Sequence, residues 1–296
     1  MALNNKIDFM AIVTVEDANP NGDPLNGNRP RQHYDNTGFM TPVCIKRKLR
    51  NRLQDMGRKV LIQQNDRSED GLKSISARLD MIDEIADVKN KKVSKGEKID
   101  KNEIIARKTC EVFEDVRAFG ATIALKNKKD SKEAGISVGV RGPVTIQQAE
   151  SVGAVDIESI QITKSTNSAE DEAKGSDTMG WQHVVRFGTY VIKGSINPIL
   201  AAKTGFSDQD AADIKEALRT LFENDESAAR PSGSMNVIRL YWWEQKADEI
   251  RYSTSRVLDT VHVEPVDPEK PAESFDDFRI TENDLPDLKP EVIEGF

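Results

Sequence analysis

Ile7-Asp8-Phe9-Met10-Ala11-Ile12-Val13-Thr14-Val15-Glu16 decides the fold, because it is apolar on nearly every residue and β-branched or hydroxylated from Ile12 to Val15. A strand with one wet face alternates, so a run without alternation predicts a central strand covered on both faces. The loop Asn19-Pro20-Asn21-Gly22-Asp23-Pro24-Leu25-Asn26-Gly27-Asn28-Arg29-Pro30-Arg31 follows. Its Asn-Gly pairs predict turns with positive φ, and its three prolines stiffen the path between them. A stiff loop carrying Arg29 and Arg31 holds guanidinium groups in place, a geometry suited to bidentate contact with phosphate.

Thr41 reads as an N-cap, Pro42 as the first helical residue and Gly57 as the stop, which predicts a helix over 42–56. Ile45, Leu49, Leu53 and Met56 form its buried stripe. Seven Lys and Arg lie from Lys46 to Lys59 against the single acid Asp55. Lys46, Arg47 and Arg50 share one side with no acid at i±4, so that face is expected to keep a positive field that a polyanion would meet.

Composition bounds the rest. The chain has 296 residues, 37% hydrophobic and 31% charged, which describes a soluble globular protein with one large core or two modest ones. No apolar run is long enough to cross a membrane and no signal-peptide pattern opens the chain, so a cytoplasmic protein is expected. Cys44 and Cys110 are read as free thiols. His33, His183 and His262 lack ligand spacing, so no metal site and no cofactor are expected. The net charge of −8 is local: residues 264–296 hold eleven acids and three bases, and the rest balances at 39 of each sign. That tail, rich in proline and without apolar period, reads as an extended, solvated or wrapping segment.

Further along, Lys73 to Val116 reads as helical, with a charged stretch from Asp87 to Asn102 that has no apolar period. Strand-like runs follow at 121–125, 137–148, 157–164 and 184–196. The polar segment 165–183 between the last two reads as the tip of a hairpin arm. Ser207 caps an amphipathic helix with the stripe Ala211, Ile214, Leu218, Leu221 and Phe222, and the last strong strand runs from Asn236 to Trp243. This order predicts an α+β chain of ferredoxin-like type, the plan of RNA-recognition modules.

Tests for catalysis fail. The calcium-loop pattern from Asp17 lacks its closing Glu, with Asn28 in that place, and the Gly22 to Gly27 spacing of a P-loop lacks its Lys. His33 beside Tyr34 reads as loop packing.

Five motifs in order carry a resemblance: the Asn19–Arg31 loop, Ile45-Lys46-Arg47-Lys48, Asp115-Val116-Arg117-Ala118-Phe119-Gly120-Ala121, Arg141-Gly142-Pro143-Val144 and Gly194-Ser195-Ile196-Asn197-Pro198. Together they resemble the backbone subunit of the CRISPR type I-C Cascade complex, of the RAMP superfamily, from about residue 7 to 243. The resemblance implies a non-enzymatic, RNA-binding subunit that polymerises along a guide (crRNA) and supports recognition of a target DNA strand. Its implied partners are neighbouring copies, a small crRNA-processing subunit and a large subunit, with no membrane. It implies an RRM-like palm (1–59 with 117–163 and 188–245), a helical finger insertion (60–116), a thumb hairpin (164–187) and an acidic C-terminal segment (246–296). Asn28, Arg29, Arg31, Lys46, Arg47, Arg50, Arg117, Phe119 and Lys164 would meet RNA, and Met179 and Trp181 would supply the thumb wedge. Related RNA-cutting subunits use an Asp in the first loop. That position falls here near Asn28 or Arg29, so a metal-dependent endoribonuclease using Asp23 or Asp35 is the alternative.

Overall fold

The computed structural model describes residues 3–90, 100–125, 136–163 and 179–296. Strand β1 (Asn5–Ala18) is buried continuously from Ile7 to Val15, as its unalternating sequence requires. The following loop contains the two-residue strands β2 (Gly22–Asp23) and β3 (Arg29–Pro30), and β4 (Thr37–Met40) leads into helix α1 (Pro42–Asp55). The Thr41 hydroxyl accepts from the Cys44 amide at 3.2 Å, and Gly57 ends the helix at φ 76°. Ile45, Leu49 and Leu53 are fully buried and Met56 packs against the same core.

The chain then leaves this body. Helices α2 (Ile75–Asp80), α3 (Asp83–Asn90), α4 (Lys101–Val112) and α5 (Glu114–Phe119) are followed by the hairpin of β5 (Gly120–Leu125) and β6 (Ile136–Arg141). These pieces share a second core of Leu61, Leu79, Ile85, Ile105, Val116, Ile123, Leu125 and Val138. Among the described residues, β5 and β6 pair only with each other and bury apolar residues against the helices, so this insertion and its second core continue past residue 116. Gly120 makes the helix-to-strand corner at φ 73°, where a Cβ would lie 2.3 Å from the Val140 carbonyl oxygen.

Strands β7 (Val144–Ile146), β8 (Ala149–Ala154) and β9 (Ile157–Thr163) pair in turn along one edge of the 18-residue β10 (Met179–Ile196), whose other edge pairs with β1. Residues 164–178, including Lys164 and most of the expected thumb, lie outside the described residues. A short helix not expected from sequence, α6 (Pro198–Thr204), is capped by the Asn197 side chain. Then α7 (Asp208–Arg219) begins with a Ser207/Asp210 capping box, and β11 (Met235–Lys246) returns beside β1. Strands β1, β7, β10 and β11 with α1 and α7 thus follow strand, helix, strand, strand, helix, strand, in the spatial order β11-β1-β10-β7.

The acidic tail is folded. Helix α8 (Thr254–Leu258) and the hairpin of β12 (Val261–Pro265) and β13 (Phe278–Glu282) cover one face of the sheet, and β14 (Glu291–Glu294) extends it as an edge strand on β11. A third core of Met10, Ile12, Tyr241, Trp243, Val257, Leu258 and Val261 lies beneath them. β1 is accordingly sandwiched: Phe9, Ala11 and Val13 face the helices, whereas Met10 and Ile12 face the tail. Among the described residues, no helix is long and apolar enough to cross a membrane.

Candidate nucleic-acid interface

The loop from Asn19 to Arg31 is stitched in place by its asparagines. Asn19, 2% exposed, donates its side-chain amide to the Asn28 carbonyl at 2.6 Å, and its own N–H to the Ala229 carbonyl at 2.8 Å. The Asn21 side-chain oxygen accepts from both the N–H and the hydroxyl of Thr41, at 2.9 and 3.0 Å, so the loop hangs from the cap of α1. Gly27 and Asn28 take the left-handed turn, each at φ 59°. Gly22 does not; a Cβ there would sit 2.0 Å from the Asn28 side-chain oxygen, so a larger residue would push the exposed Asn28 side chain aside. Sequence reasoning gave Asn28 the ligand role and missed Asn19 and Asn21, whose spacing around a proline was the available signal. Replacing Asn21 with Ala leaves two Thr41 donors without an acceptor and is expected to cost about 1–2 kcal/mol. Urea titration checks this, with Asn21→Asp, which keeps the acceptor, near wild type.

Arg29 and Arg31 are half-buried and oriented. Arg31 contacts Asp23 at 3.3 Å, and Asp23 also caps the turn at Leu25. Arg29 donates to the Ser159 hydroxyl at 3.0 Å, and Ser159 meets the His183 ring nitrogen at 2.9 Å. Ser159 and His183 are register partners in the β9–β10 hairpin, as are Gln161 and Trp181, and Thr163 and Met179. Because side chains alternate along a strand, His183, Trp181 and Met179 share one face, so Arg29 approaches the hairpin on the face that carries the expected wedge. Met179 and Trp181 are 65% and 60% exposed.

The basic face of α1 differs from its sequence reading. Arg50 is buried and its Nε donates to Asp115 at 2.9 Å. Lys48 is buried in an ion pair with Asp225, which also holds Arg230. Arg58 pairs with Asp213 at 2.7 Å and Arg117 with Asp210 at 2.6 Å. On the expected face the acid absent at i±4 reaches Arg50 alone, from α5, while α7 and the loop after it supply the partners of Arg58, Arg117 and Lys48, so Arg50 and Arg117 are both engaged in ion pairs within the fold. Arg47 donates to the Ile62 carbonyl at 2.8 Å.

Lys46 is the exception in kind. It is half-buried over the Phe119 ring at 5.6 Å, with the Arg50 guanidinium over the same ring at 5.0 Å. Burial, and then the charge of Arg50, hold its ammonium below the usual lysine range, and the same two causes depress Arg47. A cation destabilised by both effects is one that an arriving anion relieves.

Other residues of the region are used locally. His33 stacks on Phe39 at 4.5 Å and meets Glu150 at 3.1 Å, in keeping with a packing role, and Tyr34 is fully exposed. Asp35 accepts from the Thr37 hydroxyl and N–H, chiefly the hydroxyl holding its carboxyl below the usual range. Among the described residues no group of three or more His, Cys, Asp or Glu side chains is placed to hold a metal ion.

A family model described as CRISPR-associated protein Cas7 matches residues 5–283. The chain belongs to the Cas7 family. A Cas7 relative from Haloferax volcanii, described in the same words, is 26% identical over an alignment of 222 residues that covers 71% of this chain. That match spans 62% of the relative's length. Among solved structures, a chain of a "CRISPR RNA-guided surveillance complex, pre-nicking" overlays with a TM-score of 0.45 at 15% identity, over 80% of this chain and 78% of its own. A chain of another "CRISPR RNA-guided surveillance complex" gives 0.43 at 16%, over 80% and 68%.

Proposed function

We propose that this Cas7-family chain is a non-catalytic, crRNA-binding backbone subunit of a type I-C CRISPR surveillance complex. Copies of it line up along the guide beside a small crRNA-processing subunit and a large subunit, and support recognition of a target DNA strand. The sheet with α1 and α7 is the ferredoxin-like, RRM-like palm, the second-core unit is the finger insertion, and the β9–β10 hairpin is the root of the thumb.

The observation that carries this reading is the contact of Arg29 with Ser159. It places a guanidinium of the anchored loop on the same hairpin face as exposed Met179 and Trp181, so that phosphate-holding and base-wedging groups lie along one edge. The course of the RNA differs from that in an open RNA-recognition sheet. There aromatic residues of the central strands stack bases, whereas here Tyr241 and Trp243 are 0% and 1% exposed beneath the tail. RNA therefore runs over the loop, Lys46, Arg47 and the hairpin. Such contacts fix the backbone and leave base edges free to pair with a target.

Each phosphate contact to a single strand contributes about 0.7 to the log-log salt dependence of binding. Arg29→Ala with Lys46→Ala is expected to lower that slope by about 1.4 without unfolding the chain, since neither side chain belongs to a buried ion pair. An unchanged slope removes both residues from the interface.

A further inference from the structure

The insertion meets the sheet body at a seam whose charges do not balance. On the body side, α7 presents Asp210 and Asp213, and Arg58 follows α1. On the insertion side, α5 presents Glu114 and Arg117, and the end of α4 presents Glu111. Arg117 takes Asp210 at 2.6 Å and the Cys110 carbonyl at 2.8 Å, Arg58 takes Asp213 at 2.7 Å, and Gln209 donates to Asp213 at 3.1 Å. The second Asp210 oxygen caps Ser207. Glu111 is occupied by Arg107 and Lys108, and Lys59 contributes its carbonyl to the Glu114 N–H at 3.0 Å. Arg117 is thereby committed, and Arg58 commits its Nη2 to Asp213 while its buried Nε lies 3.9 Å from Glu114 Oε2, beyond hydrogen-bond distance, so neither group is satisfied by the other.

Glu114 is 4% exposed, and its Oε1 is buried without a hydrogen-bond partner. A carboxylate in that position would place a third negative charge beside two others and away from water, a cost that a proton removes. A cavity of about 410 Å³ borders the seam, lined by Arg58, Glu114, Arg117, Gln209 and Asp213 among others, and gives water a route to the group when the seam opens.

We propose that the seam is a proton-controlled joint: Glu114 is a neutral acid in the closed molecule, and its ionisation at alkaline pH loosens the insertion from the sheet body. The device is independent of whether the chain binds RNA.

The electrostatics agree with the geometry. Burial first, then the charges of Asp210 and Asp213, push the Glu114 carboxyl from its ordinary 4.5 up to about 8, against the opposing pull of Arg117 and Arg58. The folded chain thus keeps a proton that the unfolded chain releases. Stability at this joint is full below about pH 4.5, falls as pH rises toward 8, and levels off above it.

Two measurements test the joint. With the glutamates labelled at the carboxyl carbon, the Glu114 resonance, assigned by its loss in Glu114→Gln, is expected to stay constant through the acidic range where the other glutamates titrate, and to move only above neutrality. Asp213→Asn is expected to shift that midpoint to lower pH. Hydrogen exchange of the α4 and α5 amides should be slower in Glu114→Gln than in wild type by about tenfold at alkaline pH, and equal at acidic pH. A Glu114 resonance that titrates with the bulk glutamates overturns the proposal. So does a Glu114→Gln chain whose insertion exchanges as fast as wild type at alkaline pH.

Discussion

Asp115→Ala is expected to destabilise the protein by about 3–5 kcal/mol and to release the insertion from α1, because it leaves a buried guanidinium without its partner. Asp115 is 0% exposed, and its carboxylate accepts from Arg50 Nε at 2.9 Å, the Leu61 N–H at 2.8 Å and the Ile62 N–H at 3.3 Å. Three donors from α1 and the first residues after it thus converge on one acid of α5. Removing it strands two backbone donors as well as a charge, each at its own desolvation cost. Asp115→Asn retains an acceptor for the amides and is expected to lose less. Urea unfolding followed by circular dichroism checks the total. Limited proteolysis within the insertion checks where the loss falls, and cleavage confined to the sheet body would contradict the assignment.

The second large effect is Trp243→Ala, expected to cost about 3–5 kcal/mol through the cavity it leaves. Trp243 is 1% exposed and stacks on Tyr241 with ring centroids 5.8 Å apart, in the core that α8 and β12 close. The loss is expected to appear as faster proteolysis of residues 247–296 while β1 and α1 stay protected, since Phe9 and Ile45 pack on the opposite face. Protection of the tail unchanged by the substitution would mean that it is held by its strand pairing alone.

The elements whose reasons are local were legible in the sequence. β1 announced its double burial by its lack of alternation, α1 by its cap, proline and glycine, and α7 by Ser207 and a single apolar stripe. What was not legible depends on residues far away in the chain. The acids that pair with Arg50 and Lys48 of α1 come from positions 115 and 225, invisible to any count of i±4 neighbours. A signal did exist, because Asp115 stands among Val112, Phe113, Val116 and Ala118, where an acid must be paired to be buried. Tyr241-Trp242-Trp243 likewise shows no alternation, so something had to cover the second face of the sheet, and the tail is that cover. Its charge hid the few apolar residues, Val257, Leu258, Val261, Leu285 and Leu288, that anchor it. Of the expected RNA contacts, Arg29, Arg31, Lys46 and Arg47 stand beside the loop and helix in partly exposed positions, whereas Arg50 and Arg117 are drawn into the seam with the insertion. Met179 and Trp181, the expected wedge, are exposed.

The most direct test of guide binding is the nucleic acid that the protein carries when purified from cells expressing it with a CRISPR array. Size exclusion with the ultraviolet absorbance ratio, followed by extraction and sizing of any bound strand, reads this out. A large particle holding short RNA of uniform length is the predicted result, and its loss in Arg29→Ala with Lys46→Ala ties it to the loop edge. A folded, nucleic-acid-free monomer, recovered even when the partner subunits are present, would contradict the account.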